Sequence, residues 1–171
     1  MTAGPLLLYL DQNYLSGIAK GKPAFRELEP VLRAAVAAGA VAVPESAVHH
    51  AESAPRPDLG LLELLRELSG GLRLPDEPDA AGRAIVRRLQ STIAAEHPGR
   101  QARPGDRADL RALAVALPRC RLVTCDAFMA DVVRRTRLDL RHRAELYTGR
   151  RADVHRLRER LAALAPESAR W

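Results

Sequence analysis

Short apolar runs alternate with longer amphipathic segments along this chain, and that alternation constrains its fold more than any other feature. The runs at 6–10, 40–43 and 121–124 are too short for anything but strands. A minor strand is predicted at 72–74 and a weak one at 138–141. Because parallel strands joined by helical crossovers produce this order of elements, we predict the α/β class with a central, mainly parallel sheet.

Helices are predicted wherever apolar residues recur with helical spacing between turn formers. They cover 12–20, 25–38, 44–54, 59–68, 80–96, 106–117 and 127–135, and a final amphipathic helix covers roughly 151–164. The stretch 97–105 holds turn formers and charges but no apolar period, so an exposed loop is predicted there.

Length and charge indicate one domain over residues 1–171 with a basic second half. A chain of 171 residues with 47% hydrophobic content suits a single core. Residues 1–82 carry 7 basic and 11 acidic side chains, whereas residues 83–171 carry 20 and 10. The second half is therefore the expected polyanion-facing part. Since only 4% of residues are aromatic, contacts with backbone phosphates are expected to outweigh base stacking.

The cysteines and the hydropathy pattern indicate the compartment. Cys120 and Cys125 flank the predicted strand at 121–124 without metal-site spacing, so reduced core thiols are predicted. No charged segment followed by an apolar one opens the chain, and no apolar run approaches the roughly 20 residues of a membrane span. A soluble cytoplasmic protein with no membrane partner is expected.

Four acidic residues lie where ligands are expected to bind. Asp11 ends the first apolar run and Asp126 follows the strand at 121–124, and ligands of open parallel sheets bind beyond the carboxyl ends of the strands. Glu52 lies on the helix after the second strand, and Asp109 lies on the helix before the strand that ends at Asp126, so each can project toward the same crevice from the side. Because gathered carboxylates repel one another unless a cation neutralises them, the arrangement predicts a divalent metal. Hard oxygen ligands select Mg²⁺ or Mn²⁺.

The segments around these acids resemble the motifs of the PIN domain, a family of small metal-dependent nucleases with an α/β/α fold. They are Leu8-Tyr-Leu-Asp11-Gln-Asn13, Pro44-Glu-Ser46-Ala-Val-His49-His-Ala-Glu52, Asp109-Leu-Arg-Ala-Leu-Ala-Val-Ala116 and Leu122-Val-Thr-Cys-Asp126-Ala-Phe128. The Asp-Gln-Asn opening is typical of a PIN-like subgroup, and the resemblance covers residues 6–140. The family's first Asp, helical Glu, central Asp and last acid fall on Asp11, Glu52, Asp109 and Asp126. The resemblance implies three α/β/α layers and a metal-dependent endoribonuclease.

The implied activity gives each acid a role. Asp11, Asp109 and Asp126 are the expected direct ligands of Mg²⁺ or Mn²⁺, and Glu52 binds a second ion or orients the attacking water. Such ions hold the scissile phosphate and lower the pKa of a bound water. Expected partners are an RNA substrate, an antitoxin protein if the chain is the toxin of a toxin–antitoxin pair, and a second copy of the chain. An RNA-processing role stays open beside the toxin role.

Five further residues near the predicted crevice have both a functional and a structural interpretation: Asn13, Ser46, His49, Asp106 and Thr124. Asn13 and Ser46 are expected to bond a carboxylate or phosphate, or else to serve a turn or cap. His49 shares a helix face with Glu52, and it is either a supporting residue or a partly buried His bonded locally. Asp106 is expected to N-cap its helix or to act as an outer metal ligand. Thr124 either orients the last acid or simply fills a strand position.

A basic cluster follows the last acid. It comprises Arg134, Arg135, Arg137, Arg141 and Arg143. The cluster is either a nucleic-acid-binding surface or a solvated face, and the sequence leaves both open.

Several rival functions are considered. Asp11 and Asp126 could be simple helix N-caps, which would suit a PIN-like fold without turnover that binds RNA or protein. A dehalogenase-like phosphatase expects a second Asp where Asn13 stands. A receiver domain expects a late Lys, and no Lys follows Lys22. The inactive PIN-like module is therefore the main alternative to the nuclease.

Overall fold

A sheet of four parallel strands lies at the centre of the computed structural model, which describes residues 4–164. The strands are β1 (Leu6–Tyr9), β2 (Val41–Ala42), β3 (Leu122–Thr124) and β4 (Glu145–Tyr147). The helices are α1 (Gln12–Ala19), α2 (Pro23–Ala37), α3 (Ala47–Ser53), α4 (Leu61–Ser69), α5 (Ala80–Glu96), α6 (Asp106–Ala116), α7 (Ala127–Arg135), α8 (Leu138–His142) and α9 (Arg151–Leu164). The predicted α/β class and parallel sheet are confirmed.

Successive strand residues pack on opposite faces of the sheet. Leu8 and Leu10 join the core formed with α1, α2, α4 and α9, whereas Tyr9 joins the core formed with α5, α6 and α7. Leu122 and Val123 of β3 divide between the two cores in the same way. Because both faces of a parallel sheet are covered, its strands carry apolar residues on both faces, as β1 does with Leu6, Leu7, Leu8 and Tyr9. This packing is consistent with three α/β/α layers.

Helix ends follow the local chemistry of the sequence. Pro23 occupies the first turn of α2, where a missing N–H costs nothing, and Gly39 with φ 68° ends that helix. Asp79 N-caps α5 by accepting the Gly82 N–H at 2.9 Å. Gly70, with φ 56°, ends α4. The predicted bounds of α5, α7 and α9 agree with the structure.

The strand predicted at 138–141 is wrong, since α8 occupies this segment and the fourth strand is β4. Leu138 and Leu140 suggest period-two alternation, yet four residues are too few to separate a strand from one helical turn. Arg137 and Arg143 adopt positive φ angles of 57° and 55° and bound that turn on either side.

The segment 44–46 also departs from prediction, because α3 begins at Ala47 rather than at Pro44. Ser46 is the N-cap of α3. The backbone of Glu45 pairs instead with the segment 72–74, since Glu45 N–H donates to Leu72 O and Leu74 N–H donates to Glu45 O, each at 2.8 Å. The minor strand predicted there is thus one isolated bridge.

Two further predictions concern the state of the two cysteines and membrane-spanning segments. Cys120 and Cys125 are free and buried, and burial raises the pKa of Cys120 to about 12, so that thiol stays protonated. Within residues 4–164, no helix is both long and apolar enough to cross a membrane.

The strand order β2-β1-β3-β4 places a switch point between β1 and β3. From β1 the chain crosses to β2 on one side, and from β2 it returns past β1 to β3 on the other. Leu8 pairs with Leu122 and Tyr9 with Val123, so the carboxyl ends of β1 and β3 lie side by side. Open α/β sheets bind ligands in the crevice at such a point.

Candidate active site

Asp11 and Thr124 are hydrogen-bonded across the switch point. The Asp11 N–H donates to Thr124 Oγ1 at 2.7 Å, and the Thr124 hydroxyl donates to Asp11 Oδ1 at 2.9 Å. The Tyr14 N–H donates to the same Oδ1 at 3.1 Å, so Asp11 also N-caps α1. Within the described part of the chain, both hydrogen bonds to the Asp11 side chain are accepted by Oδ1, and Oδ2 accepts none. Thr124 therefore orients the first acid, whereas the expectation was the last one.

Asp126 lies two residues beyond Thr124 and N-caps α7. Its Oδ1 accepts the Met129 N–H at 2.7 Å, and the side chain is exposed. The positive ends of α1 and α7 thus both face the carboxyl edge of the sheet. Both acids have the cap role that was the structural alternative, but each cap uses one carboxylate oxygen and is compatible with binding a ligand through the other.

Glu52 and Asp109 lie on α3 and α6, which contact each other. Burial, followed by the negative charges of Asp126, Glu52 and Asp11, raises the pKa of Asp109 to about 7. Burial and then the charge of Asp11 raise the pKa of Glu52. The charges of the other three acids thus act on Asp109, the charge of Asp11 acts on Glu52, and the charge of Asp126 acts on Asp11.

The pKa of Asp11 reflects opposing effects. Burial and, to a smaller extent, the charge of Asp126 raise this pKa, whereas the hydrogen bonds from Tyr14 and Thr124 lower it. The resulting pKa is about 6. A carboxyl group held by two donors would ordinarily have a low pKa. The net increase shows that this edge of the sheet disfavours further negative charge.

The donor set fits an oxygen-seeking divalent ion in type and charge, although it forms no complete cage. Among residues 4–164, no three His, Cys, Asp or Glu side chains are arranged to hold a metal ion. Mg²⁺ keeps several of its waters and is usually bound through one or two carboxylates together with substrate phosphates. An ion bound in that mode would need only one or two of the four carboxylates.

His49 and Ser46 are buried and have structural roles. The Ser46 N–H donates to His49 Nδ1 at 3.0 Å, which fixes the proton on Nε2, and Nε2–H donates to the Leu10 carbonyl at 2.5 Å. Burial lowers the pKa of His49 to about 4, so the ring is neutral near pH 7. With both ring nitrogens engaged, His49 is the locally bonded His of the alternative interpretation, and it holds the strand end that precedes Asp11.

Asp106 is the first residue of α6, whereas Gly105 occupies the N-cap position, so the predicted cap is wrong. Its carboxylate accepts hydrogen bonds from the Arg100 guanidinium and from the Arg103 N–H. The hydrogen bonds from Arg100 lower the pKa of Asp106 to about 2 despite partial burial. Asp106 is thus neutralised by the loop at 97–105, and it differs in this from the four acids.

Arg100 is the residue near this site that the sequence did not single out. Its guanidinium binds both carboxylate oxygens of Asp106, and its Cζ lies 3.9 Å from the centre of the Phe128 ring. The charges of Asp126 and Asp109 also act on it. A loop Arg carries no periodic signal, and the sequence gives no reason to choose Arg100 over Arg103, the other Arg of the loop.

Asn13 and the basic cluster lie at the surface. Asn13 is exposed in the first turn of α1. A Cβ added at Gly149 would lie 2.5 Å from Asn13 Nδ2, so the glycine permits this close approach.

The five clustered arginines are exposed, namely Arg134, Arg135, Arg137, Arg141 and Arg143. Arg135 pairs with Asp131 and Glu96. A groove of about 450 Å³ lined by Arg88, Arg141 and His142 includes none of the four acids.

Comparison with known proteins adds no relative to this description. No family model, curated protein or solved structure matches the chain. The resemblance to PIN domains therefore rests on the motif residues alone and stays a prediction.

Proposed function

We propose that this chain is a metal-dependent nuclease that hydrolyses the phosphodiester bonds of RNA. The observation that carries the proposal is that the charges of other acids, in addition to burial, raise the pKa values of Asp11, Glu52 and Asp109, which come from three separate segments of the chain. Acids that raise one another's pKa reduce the stability of the fold, and such groups are concentrated at functional sites. Their hard oxygen donors match Mg²⁺ or Mn²⁺.

Each of the four acids has its own role in the proposed hydrolysis. When bound, Mg²⁺ or Mn²⁺ supplies positive charge to the scissile phosphate and lowers the pKa of the attacking water. Asp11, Asp109 and Asp126 would hold the ion, and Asp11 is kept in one orientation by the hydroxyl of Thr124. Glu52, whose pKa is raised by burial, binds a second ion or accepts the proton of the attacking water.

Metal titration tests the site without a substrate. Thermal unfolding is measured with Mn²⁺ and with a salt of matched ionic strength but no divalent ion. The nuclease proposal expects Mn²⁺ to stabilise the protein, by about 2.7 kcal/mol at 100 times the dissociation constant. The Asp109→Asn variant should gain clearly less, because one carboxylate and its repulsion are removed.

Cleavage of a labelled RNA pool tests turnover. Products are expected with Mn²⁺ and none with excess chelator, and a pool of the same length in DNA reports substrate preference. Growth arrest on expression, relieved by a co-expressed neighbouring gene, would support the toxin role and its antitoxin partner. Intact RNA at saturating Mn²⁺ would overturn the proposed hydrolysis.

An RNA-binding or protein-interaction module without turnover is the second candidate. It is favoured by the lack of a three-ligand metal group within residues 4–164. Such a module should show no Mn²⁺-dependent stabilisation while it still binds RNA or protein. The thermal titration therefore separates the two candidates before any substrate is known.

A further inference from the structure

The loop at 97–105 returns Arg100 to the first turn of α7. After α5 ends, the Arg100 N–H donates to the His97 carbonyl at 3.0 Å, and Pro98 stands at the second position of this turn, which its fixed φ favours. The His97 ring lies 5.2 Å from the Phe128 ring, edge to face. The turn thus docks on Phe128, two residues after Asp126.

The Arg100 side chain is held in one orientation by three contacts. Its Nη1 and Nη2 donate to the two oxygens of Asp106 at 2.5 and 2.9 Å, and its Cζ stacks at 3.9 Å over the Phe128 ring. The two charged side chains are only 18% and 15% exposed. Asp106 is fixed in turn by the Arg103 N–H at 2.8 Å. Of the five N–H donors of a guanidinium, Asp106 engages two.

This fixed cation lies beside acids that would repel a nucleic acid. The charges of Asp126 and Asp109 act on Arg100 in addition to that of Asp106. A polyanion that reaches Asp109 and Asp126 must overcome their repulsion, and a preoriented guanidinium offers a bidentate partner for phosphate oxygens. Two of the Arg100 donors bind Asp106, and the other three have no hydrogen-bond partner within residues 4–164.

We propose that Arg100 binds a backbone phosphate of the RNA next to the scissile bond, held ready by Asp106 and Phe128. This role rests on the nuclease function proposed above, since Arg100 would bind the RNA substrate of that nuclease. A flexible side chain would lose more entropy on binding than one that is already ordered. Arg100 is therefore a phosphate-binding residue rather than only a loop anchor.

Fluorescence anisotropy with a labelled, mixed-sequence, single-stranded RNA tests the proposal. Ca²⁺ replaces Mn²⁺ so that the RNA stays intact, and each titration is repeated over a range of salt concentrations. Arg100→Ala should weaken binding about ten- to hundredfold, because a hydrogen-bonded charged contact is lost. The slope of log affinity against log salt should become shallower by about 0.7, the value for one single-strand phosphate contact.

Two further variants separate phosphate binding from a structural role. Arg100→Lys keeps the charge, so its salt slope should equal that of the wild type while its affinity is intermediate. Arg66→Ala removes an exposed charge from α4 and should leave affinity and slope nearly unchanged. Circular dichroism confirms that each variant is folded.

The outcomes distinguish this inference from the nuclease proposal. Unchanged affinity and slope in Arg100→Ala, with Mn²⁺-dependent cleavage by the wild type, would overturn the role of Arg100 alone. Arg100-dependent binding without any cleavage would overturn the nuclease and leave the phosphate contact standing. A wild type that binds no RNA would overturn both.

Discussion

The pKa values of acidic side chains shift in opposite directions at the two edges of the sheet. At the amino edge, where the strands begin, Glu145 accepts hydrogen bonds from the Arg160 guanidinium at 3.0 to 3.3 Å and from the Tyr147 hydroxyl at 2.9 Å. At the carboxyl edge, Asp11 and Asp109 face other acids. Burial alone would raise the pKa of Glu145, but these hydrogen bonds lower it overall, whereas the pKa values of both Asp residues are raised.

The difference separates acids whose ionised form stabilises the fold from acids whose ionised form destabilises it. A carboxylate with a lowered pKa is more stable in the folded chain than in the unfolded one, and a raised pKa means the reverse. Evolution can remove an unfavourable cluster by one substitution to an amide, so its presence supports a function. The amino edge is therefore structural, and the carboxyl edge is the proposed active site.

Asp11→Asn should have the largest effect on activity at the carboxyl edge. We expect a loss of cleavage of at least about 100-fold, because even groups one shell beyond a metal ligand contribute 10- to 100-fold. The fold should be kept, since Asn caps a helix about as well as Asp. RNA cleavage rates at saturating Mn²⁺ provide the measurement.

The matched control for that prediction is Asp79→Asn. Asp79 caps α5 through a comparable bond to the Gly82 N–H, at 2.9 Å, but it is no part of the acid cluster. Its cleavage rate should stay near that of the wild type. Equal losses in both variants would mean that Asp11 acts only as a cap.

Asp109→Asn should reveal the repulsion as a pH dependence of stability. The pKa of Asp109 is raised from 3.8 to about 7, so the metal-free folded state binds more protons than the unfolded state in this window. Wild-type stability should therefore fall as pH rises through it. At pH 8 the metal-free variant should be more stable by about 1–3 kcal/mol, after allowance for solvent screening.

Denaturant unfolding measures this difference, and Mn²⁺ supplies its internal control. Below about pH 3 the two proteins should be similarly stable, because Asp109 is then largely protonated in both the folded and the unfolded states. With saturating Mn²⁺ at pH 8 the order should reverse, since the wild type binds the ion more tightly. A wild type whose metal-free stability is flat from pH 4 to pH 8 would contradict the mutual repulsion.

Glu145→Gln should give the smallest effect and the opposite pH dependence. Because the pKa of Glu145 is lowered, its contribution is present above the ordinary value of 4.5 and is lost as pH falls. We expect the variant to be about 1 kcal/mol less stable at pH 7. Its cleavage rate should stay within about twofold of the wild type, because distant sites act independently. A large loss of activity would contradict a purely structural role for the amino edge.

Elements with strong local signals could be predicted from the sequence. The runs that became β1 and β3 are apolar and bounded by polar residues, and α5 and α7 begin at capping acids, Asp79 and Asp126. The parallel arrangement followed from the alternation of these elements. It also indicated that Asp11 and Asp126 lie at the same edge.

Contacts between distant segments could not be predicted, because no periodic pattern encodes them. Thr124 was expected beside Asp126, but its hydroxyl reaches Asp11 on the neighbouring strand, a contact that depends on register. Arg100 was not singled out, since its position depends on how one turn docks on Phe128. The sequence predicts a strand in place of α8, since Leu138 and Leu140 alternate with polar residues over a segment too short to distinguish a strand from one helical turn.

Anomalous diffraction from crystals soaked in Mn²⁺ tests the central claim most directly. The account predicts a Mn²⁺ peak at the carboxyl edge, within coordination distance of Asp11 Oδ2 and of at least one carboxylate oxygen of Asp109 or Asp126. It would be contradicted by crystals that bind Mn²⁺ elsewhere while these carboxylates contact only water or protein.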